Sequence, residues 1–132
     1  MPNTILAVDN DPDIIDALTA VLESSGYRVV GARNESEALA KLQIEKPDVV
    51  ILDLATPGDE SVVFRKEIAR PEWREFRDVP ILVLSPPREE TTRRHYEMDT
   101  GCPIKAEDYI EKPFIPDVLL RQIEKVISPK SV

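Results

Sequence analysis

Cysteine is almost absent from this chain. Cys102 is the single one in 132 residues, so no internal disulfide can form and no cysteine cluster can hold zinc. That usage suits a reducing compartment, and Cys102 itself reads as a loop residue with no second thiol to resolve it. Histidine is equally scarce: His95, in Arg93-Arg94-His95-Tyr96, sits on a polar stretch and reads as solvated surface rather than as a phosphotransfer or metal residue. Basic charge is the minority sign, with 17 Lys and Arg against 25 Asp and Glu, and the formal net charge of -8 repels a nucleic-acid backbone. Direct DNA or RNA binding is not expected. No segment approaches the ~18 apolar residues of a membrane span, and Met1-Pro2-Asn3-Thr4 carries no basic leader ahead of an apolar run. These absences predict a cytoplasmic protein with no membrane partner. No linker rich in Gly or Ser divides the chain and no internal repeat is visible, so 1–132 is expected to form a single domain.

What is present is an alternation of apolar runs and helical patterns. Thr4 to Val8 is a short strand ending in Asp9-Asn10-Asp11, and Pro12 suits the first turn of the helix that follows to about Ser24, with Ile15, Leu18 and Val21 or Leu22 on one face and Gly26 as its stop. Tyr27 to Ala32 reads as a second strand, and Asn34-Glu35-Ser36-Glu37 resembles a capping box opening a helix that Pro47 closes. Val49 to Leu52 is apolar at every position, the mark of a strand covered on both faces, and it delivers Asp53 into the turn residues Thr56-Pro57-Gly58-Asp59. A helix through about Ala69 is interrupted by Pro71, and Glu72 to Asp78 is expected to pack Trp73 and Phe76 under the sheet edge. Pro80 to Ser85 is a fourth strand. Arg88 to Met98 suits a helix but has almost no apolar stripe, so a mobile helix is expected, either mostly in water or only partly formed; Asp99 to Glu107 reads as a loop. Asp108 to Glu111 is a fifth strand ahead of Lys112-Pro113, and a last helix from Pro116-Asp117 is expected to bury Leu119, Leu120, Ile123, Val126 and Ile127. Five strand-then-helix units predict a doubly wound α/β domain.

Four polar groups then fall at four strand ends: Asp9-Asn10-Asp11, Asp53, Ser85 and Lys112. In an open parallel sheet those ends face the crevice where ligands sit. Asp53 alone is as well explained by capping a loop. Carboxylates gathered in one crevice repel each other unless a cation relieves them, and a hard divalent ion such as Mg2+ takes oxygen ligands of this kind. A carboxylate can also act as the nucleophile of phosphoryl transfer, with Lys112 and the ion neutralising the transferring oxygens and the Ser85 hydroxyl bonding one of them.

In this order and on these strands, Ile5-Leu6-Ala7-Val8-Asp9-Asn10-Asp11-Pro12, Asp53-Leu54-Ala55-Thr56-Pro57-Gly58, Ser85 and Tyr109-Ile110-Glu111-Lys112-Pro113-Phe114 resemble the receiver domain of bacterial two-component response regulators over nearly the whole chain. The resemblance implies a flavodoxin-like, five-stranded parallel sheet in the order 2-1-3-4-5 with helices on both faces. It implies that Asp53 accepts a phosphoryl group from a histidine kinase or phosphotransfer protein, and that Mg2+ is held by Asp9, Asn10, Asp53 and the backbone carbonyl of Ala55. Ser85 is then the switch hydroxyl, Tyr109 the switch aromatic, and Lys112 the phosphate-contacting lysine, ahead of a cis peptide to Pro113. The implied chemistry is self-modification and its reversal rather than enzymatic turnover. Downstream partners, or a second copy in a homodimer, would use the fourth helix, fifth strand and fifth helix.

Departures from the family pattern open an alternative. Asn10 stands where a second acid is usual, which should weaken metal binding unless Asp11 compensates, and Pro86 replaces a small residue beside the switch hydroxyl, where it should hinder access. Cys102-Pro103-Ile104-Lys105-Ala106 reads as an insertion. The alternative is an atypical receiver acting as a phosphorylation-independent interaction module. A haloacid-dehalogenase-like phosphatase is disfavoured because Ala55 stands where its second acid belongs, and a flavodoxin-like binder because Asp9-Asn10-Asp11 would repel a phosphate. At the two variable positions that influence hydrolysis in this family, Ala55 and Pro87 offer no group to orient a water. Slow autodephosphorylation is therefore expected in a purified-protein time course, and rapid loss of the phosphoryl group would refute it.

Overall fold

The computed structural model describes residues 3–53, 60–76, 78–85, 90–101 and 109–127, and the side chains of all of these except 60, 61, 90–93 and 95. Strands β1 (Thr4–Val8), β2 (Arg28–Ala32), β3 (Val49–Asp53), β4 (Ile81–Ser85) and β5 (Tyr109–Glu111) alternate with helices α1 (Pro12–Glu23), α2 (Glu35–Glu45), α3 (Glu60–Ile68), α4 (Glu90–Thr100) and α5 (Pro116–Ile127), and a 3-10 helix over Pro71–Phe76 follows α3. The strands form one sheet in the order β2-β1-β3-β4-β5, every neighbouring pair parallel. Among the described residues no helix is long and apolar enough to cross a membrane.

The all-apolar strands are explained by cores on both faces. Leu6, Val8, Val50, Leu52 and Val83 pack with Ala38, Leu42, Phe64 and Tyr96 of α2, α3 and α4, whereas Ile5, Ala7, Ile51, Leu82 and Leu84 pack with Leu18, Leu22, Leu119 and Ile123 of α1 and α5. Successive side chains along a strand point to opposite faces, so a strand covered twice can spare no polar position until it ends.

Local signals set the helix ends. Asp11 caps α1 by accepting the Asp13 N–H at 3.0 Å, with Pro12 in the first turn where its missing N–H is harmless. Asn34 caps α2 through the Glu37 N–H at 2.8 Å, and the Glu37 carboxylate accepts from the Arg33 N–H. Lys46 ends α2 in the left-handed region at φ 48°, a conformation usually left to glycine.

Several boundaries differ from the sequence expectation. Tyr27 lies outside β2 because its N–H bonds Leu22 O in the turn that closes α1, and Asp99 and Thr100 continue α4, with the Thr100 hydroxyl donating to Tyr96 O. In α5 only Leu119 and Ile123 are buried; Leu120, Val126 and Ile127 are half-buried flanks of the apolar stripe. Phe76 is buried and Trp73 half-buried in the core on the α2–α4 face, the two rings 6.0 Å apart, and the Trp73 indole N–H donates to Glu67 of α3 at 2.9 Å. Of the described α4 side chains only Tyr96 is buried, and Met98 is 82% exposed, as expected for a helix lying mostly in water.

The spacing of α1 from the sheet depends on Gly31 in β2. A Cβ there would lie 2.8 Å from Ile15 Cγ2, closer than van der Waals contact permits. Replacement of Gly31 by Ala is expected to lower stability by about 1 kcal/mol or more through overpacking. In a urea-denaturation double-mutant cycle, Ile15→Ala should restore most of that loss, because it removes the colliding methyl group.

Candidate functional site

Sheet register brings the strand ends together. Val8 is opposite Leu52, Asp53 is opposite Leu84, and Ser85 is opposite Glu111, so Asp9, Asp53 and Ser85 occupy adjoining positions at the carboxyl edge of the three central strands. All three are buried, at 1%, 2% and 0% exposure, and they are the buried polar or charged residues among those described. Lys112 arrives from the end of β5, its backbone N–H donating to Ser85 O at 2.7 Å and its peptide bond to Pro113 cis, as the resemblance implied. Its ammonium lies 3.0 Å from Asp53 Oδ1 and 3.6 Å from Asp9 Oδ2. Two carboxylates and one ammonium thus share a crevice largely closed to water.

Asp9 is fixed from both sides. Its N–H donates to Ala32 O of β2 at 3.0 Å, and its Oδ1 accepts the Asp11 N–H at 2.9 Å. Oδ2, by contrast, is buried and accepts no hydrogen bond among the described residues. Burial pushes the Asp9 carboxyl up to about 6; the Asp11 amide and the Lys112 charge oppose that rise, and the Asp53 charge adds to it. A buried carboxylate oxygen without a hydrogen bond, beside a second carboxylate and with the Lys112 ammonium no nearer than 3.6 Å, fits a hard cation as a further partner.

Other expected site residues fall elsewhere. Asn10 is exposed at the rim, adjacent to Asp9 in the chain. Asp11 is exposed, with its Oδ1 engaged in capping α1. Tyr109 is half-buried against the α2–α4 core that also contains Tyr96, and its carbonyl accepts from Gln122 of α5 at 3.2 Å. Ala55, Pro86, Pro87 and the 102–106 segment lie outside the described residues, and of the side chain of His95 nothing is described. Sequence reasoning grouped Asp11 with the acidic cluster and passed over its work as a cap. An Asp directly before a Pro at a helix start was the signal for it.

The raised Asp9 value carries a stability consequence of definite sign. A carboxyl that ionises near 6 when folded, against 3.8 when unfolded, opposes folding once it is charged; that penalty is relieved as pH falls through 6 and is gone below about 4. In metal-free buffer at pH 7.5, Asp9→Asn is expected to be more stable than wild type by about 2 to 3 kcal/mol. The margin should shrink steadily as denaturation is repeated down to pH 4, and a margin independent of pH would contradict this origin.

Comparison with known proteins agrees with this arrangement. Residues 5–124 match the response regulator receiver domain family. The chain is 32% identical over 124 residues to the phosphate regulon transcriptional regulatory protein PhoB of Pseudomonas aeruginosa, covering 94% of this chain and 51% of that protein. It is 36% identical over 129 residues to the transcriptional regulatory protein KdpE of Staphylococcus aureus, covering 96% of this chain and 52% of that protein. It therefore spans about half the length of these two relatives. Among solved structures, the chemotaxis response regulator CheY4 of Vibrio cholerae matches with a TM-score of 0.75 at 29% identity, over 96% of this chain and 99% of that one. With its sheet order, its strand-end crevice and its match over residues 5–124, the chain belongs to the response regulator receiver domain family of two-component systems.

Proposed function

We propose that Asp53 accepts a phosphoryl group from a histidine kinase or phosphotransfer protein and that the modified crevice changes a partner-binding surface. The observation that carries this reading is the Lys112 ammonium, 3.0 Å from Asp53 Oδ1 and 3.6 Å from Asp9 Oδ2 at the carboxyl edge of the sheet. A carboxylate oxygen of Asp53 attacks phosphorus as the bond from phosphorus to the donor nitrogen breaks, and the donor imidazole leaves with that electron pair. Lys112 offers its charge to the oxygens of the transferring group, and the buried Ser85 hydroxyl offers a hydrogen bond to one of them. Asp9, Asp53, Asn10 and the Ala55 carbonyl would hold Mg2+. When bound, that ion supplies neutralisation of the negative charge that two carboxylates and a phosphoryl group place together.

Propagation of the change is proposed to run along β4 and β5. The same Ser85 that would hold the phosphoryl group accepts the Lys112 N–H through its carbonyl, and Tyr109 stands at the start of the strand that Lys112 follows. The readout surface would be α4, β5 and α5, open to a downstream protein or a second copy of the chain. Asp53 chemistry is the chain's own modification, and no substrate turnover is assigned to it. The names of PhoB and KdpE describe transcriptional regulation by proteins about twice as long, and a role in transcriptional regulation is part of the proposal.

Incubation with Mg2+ and a small acyl phosphate is expected to add the mass of one phosphoryl group, and Asp53→Asn should abolish the gain. No mass change, under conditions that label another receiver domain in parallel, would favour the phosphorylation-independent interaction module instead.

A further inference from the structure

The outer edge of β2 is partly covered by groups of its own domain. In a parallel sheet each residue sends its N–H and its C=O to the same side, and successive residues alternate sides. Arg28 N–H reaches Asn3 O and Asp9 N–H reaches Ala32 O, so Arg28, Val30 and Ala32 face β1, while Tyr27, Val29, Gly31 and Arg33 face away from the sheet. β2 ends the sheet on that side, and such an outward row is a template for another strand. Three of its groups are already taken: Tyr27 N–H by Leu22 O, Gly31 O by the Lys41 ammonium at 2.5 Å, and Arg33 N–H by the Glu37 carboxylate at 3.3 Å.

The last two contacts have a common source. Glu37 and Lys41 lie one turn apart on α2 and pair with each other at 3.3 Å. A residue of a sixth parallel strand, placed opposite Ala32, would give its N–H to Gly31 O and take the Arg33 N–H on its carbonyl. Lys41 and Glu37 supply the same donor and the same acceptor. We infer that this pair stands in for one residue of a further strand and closes the β2 edge against the β2 edge of a second copy of this chain. Two such edges related by a twofold axis would otherwise pair antiparallel and join two five-stranded sheets into one. Bulk does not prevent this. Gly31 has no side chain to hold another backbone off, and a cavity of about 250 Å3 lies over it between α1 and α2, so the polar pair is what stands in the way. At the opposite edge of the sheet Lys112 N–H reaches Ser85 O, so Tyr109 faces outward, and its carbonyl accepts from the Gln122 amide of α5 at 3.2 Å. A helix side chain thus takes an outward carbonyl at each end of the sheet.

The test measures molar mass by light scattering over a concentration series for wild type, Lys41→Ala, Lys41→Arg and the double variant Lys41→Ala with Glu37→Ala. Amide hydrogen exchange is followed on the same samples. Alanine is a strong helix former, so the variants are expected to fold, and their unfolding midpoints verify it. Lys41→Arg keeps a donor and should match wild type. Lys41→Ala is expected to associate at lower concentration than wild type, its mass rising about twofold over that of wild type, and the double variant at lower concentration still. In the associated form the outward amides of Val29 and Gly31 should exchange more slowly than in wild type, as paired strand amides do. The inference is overturned if both alanine variants keep the wild-type mass at every concentration, or if Lys41→Arg associates as readily as Lys41→Ala. A rise in mass with the Val29 and Gly31 amides still exchanging at the wild-type rate would place the contact elsewhere and overturn it as well.

Discussion

Two like-charged carboxylates buried at adjoining strand ends are the constraint to which the rest of this structure answers. Asp9 and Asp53 are each almost wholly removed from water, and the same burial that drives the apolar core together makes their ionised forms costly. One lysine, carried in from the far edge of the sheet, supplies the opposing charge to both. The arrangement remains under-compensated: two carboxylates share one ammonium, and the buried Asp9 Oδ2 accepts no hydrogen bond among the described residues. A crevice left in this state is receptive to a proton or a cation, and its charge can be altered by modification of one member.

The sheet makes this possible at modest structural cost because chemistry and core are separated along each strand. From Ile5, Val49 and Ile81 onward the chain of β1, β3 and β4 is apolar until Asp9, Asp53 and Ser85, and parallel pairing then places these ends side by side without any long-range side-chain contact having to be arranged. Lys112 requires a separate device, since β5 is only three residues long and the lysine lies just beyond it. The Lys112 N–H to Ser85 O hydrogen bond extends the ladder by one step and fixes where the side chain begins. Among the described side chains of α4, Tyr96 alone is buried, in the core on the α2–α4 face of the sheet.

Much of this was legible in sequence, and for identifiable reasons. Strands apolar at every position, Val49 to Leu52 above all, announced a sheet covered on both faces, and the polar residue that ended each strand marked the crevice edge. The sheet order came from family resemblance and not from periodicity, and the structure has that order. Helix margins were less legible: Leu120, Val126 and Ile127 share the α5 stripe with Leu119 and Ile123, yet burial depends on how far the helix is rotated and tilted, which periodicity does not encode. The part played by Asp11 was illegible for a different reason. Three consecutive residues with carboxylate or amide side chains look alike in sequence, and only the hydrogen bonds separate Asp9, in the crevice, from Asn10 at its rim and Asp11 on the helix.

That separation ties the crevice to the outside of the molecule. The Asp11 amide is given to Asp9, and the Asp11 carboxylate receives the Asp13 amide at the exposed head of α1, so one residue is bonded at once to the charged pocket and to the first turn of the helix it caps. Whatever draws electron density from the Asp9 carboxylate, a proton or an ion, also weakens its hold on that amide. The head of α1 is therefore joined to the crevice by two hydrogen bonds in series, so that the amides of Asp11 and Asp13, on the exposed side of the chain, are bonded in line with a carboxylate that is itself buried.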